Sequence, residues 1–549
     1  MIREKLRFIY NNEKIIILIA LLAFILLTMQ LLAGMRATPD GKIYLGTIHY
    51  APDYFNYISW IVQGRDHILS STLLYTPESL PYNLSRWEFV LTGFIFSKIG
   101  FSPIWTYHLD VFIFRITFFI AAYLVIYEIF PDSKIKRILS FLFFATSTAW
   151  PIITFLPNGL DFSYYNFWYN TGNFFSRFGP TPNHLLSSTL CAFTIFLLFY
   201  SFRNSGSENI NKVKINIFIF ISSFLLASIN PIQYVLVFSA ELITETFYML
   251  WRFVKERKFN DRKIYIEYIK NSSPLLFLFA GGLVPSFYLA SIYKTIPYSL
   301  VSAWEATQRL QMDAVSFFYS SGLVVVIALT GIIFAIRHFN KSLFFALVFI
   351  VICGVFFFSD LSTKIGIMNV RFWPQTVYIF ISVFAAWGTW SGASLFKRKR
   401  EFVLAGILFV YIGLTAASYT GELKERFKIE SNNELVYIGY NVWDIYKWAD
   451  KNMEKDALVL VIWPYNESFP AVVGRKVYYG DPISHMSIDG TRRSNEAGMF
   501  FGGNISDEKA KQMINNSKID YVIGRSSVDK YSFLNKVYWE GDVGVYKTN

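Results

Sequence analysis

Thr47-Ile48-His49-Tyr50-Ala51-Pro52-Asp53-Tyr54-Phe55-Asn56-Tyr57-Ile58-Ser59-Trp60-Ile61-Val62-Gln63-Gly64-Arg65-Asp66 follows the first strongly apolar segment of the chain. Pro52 and Asp53 are helix-start residues. Tyr54, Tyr57, Ile58 and Ile61 recur at helical spacing, and Gly64 ends the pattern. The stretch therefore predicts a short amphipathic helix with an acid at its N-terminal end. Two readings of Asp53 are open from these residues alone: a helix cap, or an acid placed to do chemistry beside a membrane.

The surrounding composition favours a membrane. Of the 549 residues, 54% are hydrophobic and 19% aromatic, and only 16% are charged. A soluble domain carries about 25% charged residues. The apolar residues come in blocks of roughly the 20 residues that cross a bilayer, so the expected class is a polytopic α-helical membrane protein. Cys191 and Cys353 both lie inside apolar blocks, which argues against a disulfide framework or a zinc site. The net charge of +12 sits in clusters between apolar blocks. That placement sets membrane orientation and does not suggest a nucleic-acid partner.

Arg3, Lys5, Arg7 and Lys14 precede the first apolar block, about 15–34, which reads as a signal anchor with the N-terminus in the cytoplasm. The outer loop, 35–103, then holds the quoted stretch and a second short apolar piece, Trp87 to Gly100, laid on the membrane surface. Further spans are expected near 104–130, 138–156, 185–202, 215–229, 232–250, 274–293, 317–336, 343–358, 372–394 and 402–419. Each expected inner connection carries a basic cluster, such as Lys397-Arg398-Lys399-Arg400. The pattern predicts about eleven spans, with the C-terminus outside. From 430 to 549 the chain is more polar and alternates strand and helix signals, which predicts a small extracytoplasmic α/β domain after a transmembrane domain over 1–429.

No Walker loop, Rossmann fingerprint, His-Glu-x-x-His or Cys-x-x-Cys is present. The candidates for chemistry are polar residues near the outer ends of spans. The first loop offers His49, Asp53, Tyr57, Glu78, Arg86 and Glu88, and the next span adds His108, Asp110 and Arg115. Asp161, Arg177 and His184 flank an aromatic run, 164–169, whose rings suit either a sugar or a membrane interface. Glu305, Asp360, Lys364 and Arg371 lie in later outer loops. Arg371, just before Phe372-Trp373-Pro374, could hold a lipid phosphate at headgroup depth or simply anchor the span. Glu241 and Glu245, one turn apart, are a weak signal of an ion path.

Three places resemble the GT-C superfamily of membrane glycosyltransferases, in the branch of aminoarabinose transferases and protein O-mannosyltransferases. Pro52-Asp53-Tyr54-Phe55-Asn56-Tyr57 through Gln63-Gly64-Arg65-Asp66 looks like that family's first-loop helix. Trp87 to Gly100 with Arg115 looks like its second surface helix and following span, and Asn369-Val370-Arg371-Phe372 with Pro374 looks like its late arginine-aromatic entry. The segment from Trp448-Ala449-Asp450 to Ile519-Asp520-Tyr521-Val522 is similar to its extracytoplasmic domain.

The resemblance implies transfer of a hexosyl or pentosyl group from a polyprenyl-phosphate donor to a glycan, lipid or protein acceptor on the outer face of the cell membrane. It implies Asp53 as catalytic base, and Arg371, then Lys364 and Arg177, as binders of the donor phosphate. His49, Tyr57, Asp161 and His184 are the candidate substrate contacts. The family often has two acids in a row where this chain has Asp53-Tyr54, so a paired metal-binding acid is not evident and the use of a divalent metal is left open. The competing readings are a transporter or lipid flippase, and a non-catalytic relative.

Overall fold

The computed structural model describes residues 11–548 except 158, 167–169, 205–211, 257–271, 339, 429 and 481–487. Part of the basic cluster Arg252, Lys255, Arg257, Lys258 and part of the aromatic run 164–169 therefore lie outside the described residues. The chain forms two compact units. One comprises residues 1–28, 113–291 and 305–426, and the other residues 29–112, 292–304 and 427–549.

The first unit is mainly helical. Among the described residues of the whole chain, seven helices are long and apolar enough to cross a membrane: Lys14–Arg36, Pro103–Ile129, Pro182–Arg203, Lys212–Ile229, Ser273–Ile292, Lys341–Phe358 and Lys397–Arg426. An eighth is possible if Ala314–Ser321 and Leu323–Ala335, bent by 102°, form one broken span. The bend falls at Gly322, which has a φ of +74° that an L side chain rarely adopts. The chain is thus a multi-pass membrane protein.

The span expected at 138–156 is not one helix. A helix over Lys134–Thr146 ends early, and the chain enters an antiparallel hairpin of β2 (Pro151–Leu156) and β3 (Gly159–Tyr164). Pro151 keeps a helix from running on through this point, because the residue before a proline is pushed out of the helical region. Asn230-Pro231 separates Lys212–Ile229 from the next helix, Pro231–Glu256, in the same manner. In that helix Glu245 forms an ion pair with Lys341.

The helices Leu323–Ala335 and Val377–Ser394 approach closely. A Cβ on Gly331 would lie 1.7 Å from the Phe384 carbonyl oxygen, so only glycine permits the crossing. Arg137 binds Glu13 at 2.6 Å in a buried pair, and also donates to the Phe130 carbonyl at 2.9 Å.

The second unit is built on the first-loop helices. Ala51–Gln63 crosses Trp87–Ser97 with Gly93 against Ile61: a Cβ on Gly93 would sit 2.0 Å from the Ile61 carbonyl oxygen. Strand β1 (Lys42–Tyr44) pairs antiparallel with β4 (Tyr437–Gly439). The C-terminal segment carries five strands, β5 (Leu458–Val461), β6 (Lys476–Val477), β7 (Tyr521–Arg525), β8 (Leu534–Glu540) and β9 (Val543–Thr548). Their order is β6-β5-β7-β9-β8. The first three are parallel, and the β7–β9 and β9–β8 pairs are antiparallel. Each falls on or beside a stretch whose alternation or apolar run predicts a strand.

The helices Gly490–Phe501 and Asp507–Ser517 bury Phe500 and Ile514 in one core with Leu460, Val522 and Tyr546. Ser506 caps the second of these by accepting from the Lys509 amide. The helix Tyr465–Val473 packs on Ala51–Gln63. The Tyr75 hydroxyl donates to the Glu467 carbonyl at 2.8 Å, and the Val477 amide donates to the Leu74 carbonyl at 2.9 Å. The C-terminal segment and the segment that carries the helices Ala51–Gln63 and Trp87–Ser97 are therefore packed together.

Candidate functional site

The residues that could carry chemistry fall in two groups, one in each unit. In the second unit the helix Ala51–Gln63 presents Asp53 in its first turn, with Pro52 buried beside it. The N-cap is Tyr50, which makes no side-chain capping bond. Asp53 is therefore inside the helix and not its cap, and its side chain is exposed.

Behind it lies an aromatic cage. Tyr54 is fully buried, and its hydroxyl donates to the Leu45 carbonyl at 2.7 Å. Tyr107 packs edge-on against Tyr54 at 4.8 Å between ring centroids. Tyr57 stacks on Phe89 at 5.3 Å. His49 stacks beside Tyr107, with its Nε2 2.8 Å from the Tyr107 hydroxyl. This enclosure strips water from the His49 imidazole and pushes it down to about 4, so it is neutral at pH 7. Gly46 closes the cage from the other side. Its φ is +78°, and a Cβ there would lie 2.4 Å from His108 Nε2.

Glu88, in the helix Trp87–Ser97, is buried, and neither carboxylate oxygen has a side-chain or backbone hydrogen-bond partner among the described residues. Burial pushes it up to about 7, against the pull of Arg86. Asp110 lies within its electrostatic reach and accepts from the Thr92 hydroxyl at 2.8 Å.

In the first unit, Arg371 lies on the turn Asn369–Phe372 and binds Glu305 at 2.8 Å. Asn369 fixes this turn: its side chain donates to the Leu310 carbonyl at 3.1 Å and the Phe357 carbonyl at 2.8 Å, and accepts from the Leu310 amide at 3.0 Å. Lys364 is exposed on the short helix Leu361–Lys364. Asp161, on β3, binds Lys424 at 2.8 Å, and that ammonium lowers its carboxyl below the usual range. His184 is half-buried in the first turn of Pro182–Arg203.

Arg177 is fully buried. It donates to the Ser147 hydroxyl at 3.0 Å and, at 3.4 Å each, to the Thr171 and Gly172 carbonyls, and lies 4.7 Å from the Tyr378 ring. Burial lowers the guanidinium to about 10, which leaves it charged at pH 7. Arg115 likewise donates to the Phe178 carbonyl at 2.9 Å and the Leu27 carbonyl at 3.2 Å.

No protein-family model matches the chain, and no curated protein matches it by sequence. Solved structures do match. The oligosaccharyltransferase of Archaeoglobus fulgidus superposes over 94% of this chain and 70% of its own, with a TM-score of 0.55 and 12% identity. The same enzyme tethered to an acceptor peptide superposes over 92% and 69%, with a TM-score of 0.52 and 11% identity. ArnT of Cupriavidus metallidurans bound to undecaprenyl phosphate superposes over 96% and 97%, with a TM-score of 0.50 and 9% identity. The fold is that of GT-C glycosyltransferases.

No group of three or more His, Cys, Asp or Glu side chains that could hold a metal ion is found among the described residues. Neither Glu305, held by Arg371, nor Glu88 announces its surroundings in a single sequence, although an acid inside a short apolar helix is itself a signal of burial in Glu88's case.

His49 and Glu88 make opposite contributions to stability over nearly the same pH range. The imidazole is depressed in the fold, so its contribution is full above about 6.5 and is lost as pH falls towards about 4. The carboxyl is raised, so its contribution is full below about 4.5 and is lost as pH rises through about 7. The wild-type protein should therefore show a shallow profile between pH 4.5 and 6.5. His49→Gln should unmask a thermal midpoint that falls as pH rises, and Glu88→Gln one that rises with pH. Thermal unfolding in detergent across that range checks both slopes.

Proposed function

We propose that this GT-C chain is a membrane glycosyltransferase that moves a sugar from a polyprenyl-phosphate donor to an acceptor hydroxyl on the outer face of the membrane. The observation that carries the reading is the exposed carboxylate of Asp53 in the first turn of Ala51–Gln63, on a fold shared with an enzyme solved with undecaprenyl phosphate. An acceptor hydroxyl is a weak nucleophile at neutral pH and needs a positioned base. Asp53 takes the hydroxyl proton as the oxygen attacks the anomeric carbon. The bond from that carbon to the phosphate oxygen breaks, and the phosphate leaves with the electron pair.

The growing negative charge on the phosphate needs a cation. Arg371, held on a fixed turn by Asn369 and paired with Glu305, is assigned that role, with Lys364 as a second contact. Arg177 is assigned to the backbone carbonyls that it already binds. His49, Tyr57, Asp161 and His184 remain proposed substrate contacts. The cytoplasmic N-terminus and the outer location of the C-terminal segment, 430–549, belong to the same proposal.

Reconstituted protein given a panel of polyprenyl-phosphate-linked hexoses and pentoses, with glycan, lipid and peptide acceptors, should release polyprenyl phosphate and form a glycoside. Passage of the lipid-linked sugar across the vesicle without a glycosyl product would overturn the assignment and favour a flippase.

A further inference from the structure

The hairpin of β2 and β3 has two chemically different faces. Register pairs Ile153 with Phe162 and Phe155 with Leu160. Successive side chains alternate across a strand, so these four share one face with the Pro151–Tyr164 pair at the base of the hairpin, and that face is apolar apart from the Tyr164 hydroxyl. Ile152–Ser163, Thr154–Asp161 and Leu156–Gly159 make the opposite face, which carries Thr154, Asp161 and Ser163 and, at its margins, the exposed Ile152 and Leu156. The helix Arg400–Arg426 packs on the hairpin through its polar side. Lys424 binds Asp161, and a Cβ on Gly421 would lie 2.6 Å from Ser163 Cα. The apolar face is left bare: Ile153 is 43% exposed, Phe155 83% and Leu160 55%. Large apolar side chains gathered in this way mark a contact surface.

Two observations say what covers it. Lys424 stands in the last turn of Lys397–Arg426, a helix long and apolar enough to span the bilayer, so the polar face is tied to the level where that span meets water. The hairpin is also a two-stranded sheet, with the outer edge of each strand unpaired in any sheet. Unpaired backbone groups are not tolerated in hydrocarbon, but are tolerated among headgroups and water. The apolar face needs lipid, and the edges need the interface.

We infer that β2 and β3 form an amphipathic finger lying in the headgroup region, with Phe155 and Leu160 turned into the acyl chains of the bilayer. The finger is a lipid-binding surface distinct from the proposed transfer chemistry. It would hold the outer end of Arg400–Arg426 at a fixed depth through the Asp161–Lys424 pair.

Nitroxide labels on Phe155→Cys and, separately, Leu160→Cys test this in the full chain, reconstituted in vesicles of phosphatidylcholine and phosphatidylglycerol. Cys191 and Cys353 are buried, and Lys509→Cys on the exposed side of Asp507–Ser517 serves as the aqueous control. Both finger labels should relax with oxygen in preference to a water-soluble nickel chelate, with an oxygen-to-nickel accessibility ratio several-fold above that of the control. Labels as open to nickel as the control would mean that the face stands in water. Labels shielded from both reagents would mean that protein, such as a second copy of the chain, covers it. Either result overturns the inference, and neither bears on whether sugar is transferred.

Discussion

Asp53→Asn should lower glycosyl transfer by about 10²–10⁴-fold, the range that a positioned general base contributes, while the protein inserts and folds as before. The amide keeps the shape of the side chain and removes its basicity. The residue is exposed in the first turn of Ala51–Gln63, and the capping position belongs to Tyr50. The attraction between the carboxylate and the helix N-terminus contributes roughly 0.3–1 kcal/mol at the surface. Pro52 and the buried face of Tyr54, Phe55 and Ile58 hold the helix independently of that charge.

Activity and thermal midpoint should therefore separate. Transfer assays on equal amounts of folded wild-type protein, Asp53→Asn and Asp53→Glu would show near-complete loss in the amide and partial retention in the longer acid, with the midpoints within a few degrees of one another. Full activity in Asp53→Asn would remove Asp53 from the mechanism. Loss of both activity and fold would return it to a structural role.

The parts of this molecule visible in the sequence are those set by local rules. Apolar blocks gave the membrane class, and Pro52 with the spacing of Tyr54, Tyr57, Ile58 and Ile61 gave the first-loop helix, observed over Ala51–Gln63. The run Leu458–Val461 and the turn at Gly541-Asp542 gave strands at the other end of the chain.

Block length misled where an apolar stretch is not a helix. Ile152, Ile153 and Phe155 continue the hydropathy of the preceding segment, yet they lie on a hairpin strand, because hydropathy reports the surroundings of a residue and not its backbone conformation. The pairings were hidden for another reason. Arg371 and Glu305 are 66 residues apart, and Lys424 and Asp161 are 263 apart. No periodicity links such distant positions. Arg177 shows the same limit: nothing in the sequence links it to the Ser147 hydroxyl, 30 residues away, that it binds.

Arg177→Met should destabilise the first unit by about 3–5 kcal/mol, because burying several carbonyls without donors costs roughly 1–3 kcal/mol each. The guanidinium serves Ser147, Thr171 and Gly172 at once, and packs on the Tyr378 ring. These contacts hold together the two ends of the segment that contains the hairpin. Methionine fills part of the volume and supplies no donor. In a unit of this size the change should lower the thermal midpoint by roughly 3–7 °C. Arg177→Lys should recover only part of the loss, because an ammonium is charged but lacks the planar fork that reaches three acceptors.

The two roles open to Arg177 predict different measurements. A residue that holds backbone lowers the midpoint and leaves the KM for the polyprenyl-phosphate donor unchanged in the fraction that stays folded. A residue that holds the donor phosphate raises that KM and leaves the midpoint alone. With Arg371→Ala measured alongside, the expected pattern is a raised KM in Arg371→Ala and a lowered midpoint in Arg177→Met. The reverse pattern would exchange the two assignments.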